Sequence, residues 1–167
     1  MNETIISFDP DSNGAVAIIG PERSMQIASL QFVAPGEVDL AALRKLLACY
    51  REMAPPFACV YIERQRLVFV TVPNQQRAAV AVKSSVTLVK IEYAIRGLLA
   101  GMNIPMESIP PGSWKKCFVH GKEAMLPVAS RMFPSVVWSG NAKKKEGQAT
   151  ALMLAEWGRR EREGRPK

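Results

Sequence analysis

Three acidic residues and one hydroxyl stand where chemistry could be done. Asp9 closes the uncharged apolar run "TIISFD", Glu63 closes "FACVYIE", and Glu146 precedes Thr150 by four residues in "KEGQATALMLAEW". Four residues is one helical turn, so Glu146 and Thr150 share a helix face, followed by Met153 and Trp157. Carboxylates at two neighbouring strand ends repel unless one is protonated or a cation lies between them. With oxygen donors only and no Cys or His cluster, the cation this set suits is Mg²⁺ or Mn²⁺. Each acid also has a plain alternative: Asp9 before Pro10 as a turn aspartate, Glu63 paired with Arg64 or Arg66, and Glu146 at a helix N-terminus.

The elements that must position these residues follow from periodicity. "TIISF", "GAVAIIG" and "MQIASLQFV" read as three consecutive strands in an antiparallel meander, the first pair joined through the turn-rich "DPDSNG". Glu37 to Met53 places Leu40, Leu43, Leu46 or Leu47 and Tyr50 at helical spacing, and Pro55-Pro56 stops that helix. "FACVYIE" returns as a buried strand, expected to lie parallel beside the first. A polar stretch around "VPNQQRAA" leads to a second helix from about Ser84 to Met102, then "IPMESIPP" forms a short strand ended by prolines. "PGSWKKCF" enters a short helix, "KEAMLPVASRMF" is a helix with Pro127 near its first turn, and a final amphipathic helix opens at Glu146. The order predicts an α/β architecture, a mixed five-stranded sheet with three antiparallel strands first and helices on both faces.

The chain has 167 residues, 48% of them apolar, which suits one domain with a real core. We expect residues 1–158 to form it and the basic stretch 159–167 to be a disordered tail. No run approaches the roughly 20 apolar residues of a membrane span, and no basic-then-apolar leader opens the chain, so a soluble protein is expected. Cys49, Cys59 and Cys117 show no ligand spacing and read as free thiols in a reducing compartment.

The net charge is +7, and much of the excess lies beyond residue 114. Lys115, Lys116, Lys122 and the run Lys143, Lys144, Lys145 favour a polyanionic partner such as nucleic acid, against the alternative of a solvated basic surface. Trp114 could pack at a DNA-facing edge or cap the core. Gln65, and Arg77 and Lys83 in the loop expected after it, are further candidate contacts.

Taken together, "FDPDSNGAVAII", "VYIERQ", "PPGSWKKCFVHGKEAMLPVASRMFPSV" and "KKKEGQATALMLAEWGRR" resemble RuvC-type Holliday-junction resolvases, most of all their plant organellar branch. The resemblance spans nearly the whole chain. It implies a ribonuclease H-like fold, a homodimer, and cleavage of four-way DNA junctions with two divalent ions, Mg²⁺ or Mn²⁺. It also implies that Asp9, Glu63 and Glu146 are the metal-binding acids, and that Lys122 keeps a lysine position. Two departures stand out. Relatives of this branch read Asp-Gly-Arg-Ala-Glu-Ala where this chain has Glu146-Gly147-Gln148-Ala149-Thr150-Ala151, so Thr150 replaces a fourth carboxylate, and Met125, Leu126 and Pro127 replace more polar residues. A catalytically disabled junction binder and an RNA-processing nuclease of related fold are therefore the alternatives. Localisation follows the resemblance alone: chloroplast for a eukaryotic source, cytoplasm otherwise. The helix from Ser84 to Met102 is either the dimer interface or a core helix.

Overall fold

The computed structural model describes residues 3–53, 57–66, 75–119 and 124–164, with the side chains of 52, 53, 57, 58, 75–81 and 83 outside that description. Strands β1 (Thr4–Asp9), β2 (Ala15–Ile19) and β3 (Met25–Ser29) form the antiparallel meander. β6 (Phe57–Glu63) and β7 (Met106–Ile109) then add in parallel on the other side of β1, giving the order β3-β2-β1-β6-β7. Between the two groups run a small ribbon, β4 (Phe32–Ala34) and β5 (Glu37–Val38), and helix α1 (Leu40–Met53). α2 (Gln75–Gly101) crosses from β6 to β7, and α3 (Pro111–Trp114), α4 (Met125–Met132) and α5 (Ala142–Arg162) complete the chain.

Strand parity decides which side chains meet which helices, because successive residues point to opposite faces. Ile6 and Phe8 of β1 and Val60 and Ile62 of β6 pack with Leu43, Leu47, Ile91, Ile95 and Leu99 of α1 and α2. Ile5 of β1 and Cys59 and Tyr61 of β6 point the other way, to α4 and α5. Ser7 confirms the parity, its Oγ donating to the carbonyl of Ala151 in α5. Asp9 and Glu63 continue the second set, so both end on the face that α5 covers. The helices lie on both faces of the mixed sheet, as predicted.

α5 reaches the sheet closely because it presents small residues. A Cβ on Gly147 would stand 2.3 Å from the carbonyl oxygen of Asn13, and one on Gly158 would stand 2.2 Å from the Tyr61 ring. The whole stretch from Gly147 to Arg159 is buried.

Several boundaries differ from the sequence reading. The helix read from Glu37 starts at Leu40, with Glu37–Val38 in strand β5, and "MQIASLQFV" divides into β3 and β4. α2 starts at Gln75 rather than near Ser84, so Arg77 and Lys83 belong to a helix and not to a loop. α5 starts at Ala142, where Asn141 caps it by accepting from the amide of Lys144, which places Glu146 in the second turn instead of at the opening. It also runs on to Arg162. Arg159 is buried and paired with Glu156 and Glu163, and Arg162 bonds Glu3 at 3.0 Å, so the first residues of the expected tail are packed helix. Among the described residues, no helix is long and apolar enough to cross a membrane.

Candidate active site

Asp9 and Glu63 sit at the ends of adjacent parallel strands, one step beyond the Phe8–Ile62 pair, and each is about 95% buried. They open into a cavity of about 350 Å³ that Asp11, Lys115, Glu146 and Thr150 also line. Its wall is built where β1, β6, the start of α5 and the turn after β7 converge.

Burial raises the Asp9 carboxyl well above the ordinary carboxylate range, and the charges of Glu63, Asp11 and Glu146 push it the same way while Lys115 opposes them. Burial also raises Glu63, against the pull of the Lys115 ammonium 2.9 Å from its Oε1. Its other oxygen, Oε2, is buried without a hydrogen-bond partner. A buried carboxylate oxygen left unpaired beside a second buried carboxylate is the environment that a hard cation relieves. The donor set of Asp9 and Glu63 therefore fits a divalent ion.

Glu146 lines the same cavity, yet its carboxylate is engaged elsewhere. Oε1 accepts from the amide of Met125 at 2.6 Å and Oε2 from the amide of Leu126 at 3.1 Å, both at the start of α4. Among the described residues no group of three Asp, Glu, His or Cys is arranged to hold a metal ion. The three-acid centre expected from the sequence is thus two carboxylates with a third turned to α4. Thr150 is buried in the cavity wall at the position read from the helix period.

The other predicted residues divide. Gln65 and Lys143 line the cavity, Lys144 and Lys116 are exposed, and Lys145 is half-buried. Trp114 is not at a DNA-facing edge. It is fully buried, against Phe118, with the Lys115 ammonium 5.4 Å above its ring, so of the two readings the core one holds. The indole gives Lys115 a platform beside Glu63. The side chains of Arg77 and Lys83, and all of Lys122, lie outside the described residues. Sequence reasoning missed Asp11, although "DPDSNG" was in view: its Oδ1 accepts from the amide of Asn13, and its charge raises both Asp9 and Glu63.

Glu92 was also missed. This α2 carboxylate is buried and accepts from the amide of Gln65 at 2.8 Å and from Ser108 Oγ at 3.0 Å, fixing the backbone just beyond Glu63 to β7. Its local partner, Arg96 one turn on at 3.6 Å, reads as an ordinary helix ion pair, and the two contacts that tie it to the site lie on other elements.

No protein-family model matches the chain, and no curated protein does. Among solved structures it is similar to Thermus thermophilus RuvC, with 14% identity and a TM-score of 0.53 over 96% of each chain. It is also similar to the yeast mitochondrial Holliday junction resolvase Ydc2, with 15% identity and a TM-score of 0.50 over 93% of this chain and 77% of that one. These neighbours are RuvC-type resolvases, and the likeness establishes the ribonuclease H-like fold.

Proposed function

We propose that this chain is a divalent-metal-dependent endonuclease acting on four-way DNA junctions. The observation that carries the reading is the buried Asp9–Glu63 pair at adjacent parallel strand ends, with Glu63 Oε2 unpaired in an open cavity. The fold shared with RuvC-type resolvases supports the substrate, as do Lys115 and Lys143 in the cavity lining and the neighbouring exposed Lys116 and Lys144.

Asp9 and Glu63 would hold the ion, Mg²⁺ or Mn²⁺. When bound, such an ion supplies a Lewis acid for a phosphate oxygen and lowers the pKa of its water. The chain's own groups do the rest. Lys115 favours the ionised form of Glu63 against its burial, and Thr150 offers a hydroxyl to water or phosphate in the cavity wall. The lysines at the rim neutralise the DNA backbone, which makes affinity fall with salt. A pair of ions, implied by the resemblance, would need Glu146 to leave α4 and would still lack the charge that Thr150 does not carry.

A junction has near two-fold symmetry, and a two-fold dimer presents two sites with the same relation. α2 supplies a face for it. Ile91, Ile95 and Leu99 turn inward to the sheet, while Val82, Val86 and Tyr93, four and seven residues apart, are 38%, 36% and 61% exposed. The plant organellar branch and an organellar location belong to the same proposal and rest on the resemblance.

A second reading has its own support. Thr150 in place of an acid, and Glu146 bound by α4, favour a protein that holds junctions without cutting them. A labelled four-way junction incubated in Mg²⁺ and then Mn²⁺, with Thr150→Glu alongside, separates the two. Paired nicks by the unsubstituted chain support the nuclease, and binding with cleavage only in T150E supports the binder. No binding by either sinks both.

A further inference from the structure

The start of α4 explains what Glu146 does. A helix leaves its first amides without intrahelical acceptors, and an N-cap side chain normally takes one of them. Here the N-cap is Ala124, which has no acceptor. Pro127, at the third helical position, has no N–H to satisfy. The amides left at the first two helical positions are those of Met125 and Leu126. Glu146 takes both, one on each carboxylate oxygen. Its negative charge also stands at the positive end of the α4 dipole.

The contact is a built one. Met125, Val128 and Ala129 bury α4 against α5, so the helix start is fixed where Glu146 can reach it. Each carboxylate oxygen of Glu146 already accepts an N–H that turns the group toward α4, whereas Glu63 keeps a buried oxygen with no partner. Mg²⁺ is commonly held by only one or two carboxylates and retains several waters, so Asp9 and Glu63 suffice in number.

We infer that Glu146 is the N-terminal cap of α4, supplied from α5, and that it is a positioning residue and not a metal ligand. It fixes the start of α4 beside the cavity, and the ion is held by two carboxylates. This inference rests on the metal-dependent reading for its second half only.

The test has two arms on the full chain. In the first, Mn²⁺ alone is titrated and the free ion counted by electron paramagnetic resonance for the unsubstituted chain, Glu63→Gln and Glu146→Gln. E63Q is expected to weaken binding by about tenfold or more, while E146Q, which keeps one acceptor for α4, stays within about twofold of the unsubstituted chain. In the second, hydrogen exchange at Met125 and Leu126 is compared with that of Ile91 in the core. Exchange is expected to speed up by about tenfold at the α4 amides in Glu146→Ala, and by less in E146Q. E146Q weakening Mn²⁺ as much as E63Q would overturn the assignment. So would unchanged exchange at the two amides. If the unsubstituted chain binds no Mn²⁺, the metal-dependent reading fails, and the exchange arm still decides whether Glu146 is the cap.

Discussion

Asp9 and Glu63 project to the same face of the sheet from adjacent parallel strands, so two buried carboxylates share one cavity, where the Lys115 ammonium bonds Glu63. The arrangement opposes folding above the ordinary carboxyl range, because burial and like charge disfavour the ionised form that the unfolded chain takes there.

That opposition has a definite sign. Asp9 is raised in the folded chain, so the folded state holds a proton that the unfolded chain has already released. The stability this provides is complete below the ordinary carboxyl value and is lost as pH rises through the elevated one. Asp9→Asn removes the loss. At neutral pH it should stabilise the chain by about 1 kcal/mol or more, near 3 °C in melting temperature. The gain should shrink as pH falls toward the ordinary carboxyl range. Thermal melts of both proteins from acid to neutral pH check this, and a gain independent of pH would count against the electrostatic account.

Lys115 works in the opposite direction. It lies 2.9 Å from Glu63 Oε1, and its side chain is 36% exposed while that of Glu63 is 6% exposed. Lys115→Met leaves the buried carboxylate without its cation. Solvent screening at the lysine limits the cost to about 1 kcal/mol at neutral pH. The Glu63 carboxyl should rise further, so the cost grows with pH. An ion that binds the folded chain offsets the loss through mass action, and millimolar Mn²⁺ should therefore raise the melting temperature of K115M. Denaturation with and without Mn²⁺ decides it; a K115M melt indifferent to Mn²⁺ would argue that Asp9 and Glu63 hold no ion.

How far the sequence revealed this site follows from the range of each signal. Strand alternation has a period of two, so Asp9 and Glu63 could be placed on one face of neighbouring strands from their positions alone. The Glu146–Thr150 spacing gave a shared helix face for the same reason. What the sequence did not reveal lies in contacts between distant segments. The α4 amides that hold Glu146 are 20 and 21 residues away. α2 extends nine residues earlier than expected because "QQRAAVAVK" lacks a clear apolar stripe. The Arg159–Arg162 segment looked like a solvated tail from its charge, although Glu156 and Glu163 pair with Arg159 at helical spacing; the contact of Arg162 with Glu3, 159 residues away, was out of local reach. Asn141 before "AKKK" was a readable cap that would have moved the start of α5 to its place.

Gly147 is where the site meets the backbone most tightly. A Cβ there would press on the Asn13 carbonyl at 2.3 Å and the Gly14 Cα at 3.3 Å, and neither is the end of a flexible side chain. Gly147→Ala must push α5 away from the β1–β2 turn, which moves Glu146 and Thr150 together. A cost of about 1–3 kcal/mol is expected from such overpacking. The loss of cleavage should exceed the loss of folded protein at a temperature where both chains are folded. By contrast, Gly97, which a Cβ would leave without a neighbour within 4 Å, should accept alanine with no destabilisation. Equal melting temperatures for G147A and G97A would show that α5 has room to move.

The exposed face of α2 gives the last prediction. Val82 and Val86 are one turn apart and Tyr93 two turns further on, with the Arg96 guanidinium 5.0 Å from the Tyr93 ring. Ile91, Ile95 and Leu99 already satisfy the core, so burying the outer residues adds an interface without disturbing the sheet. Charge on that face would have to be desolvated in a dimer but costs a monomer little. The double variant Val86→Asp, Tyr93→Glu should therefore melt within about 0.5 kcal/mol of the parent as a monomer and sediment as a single chain, while the parent sediments as a dimer. On a four-way junction the monomer should lose coordinated paired nicking and keep single nicks, because each protomer carries its own Asp9 and Glu63. Paired nicks from a variant that sediments as a monomer would separate junction resolution from this face of α2.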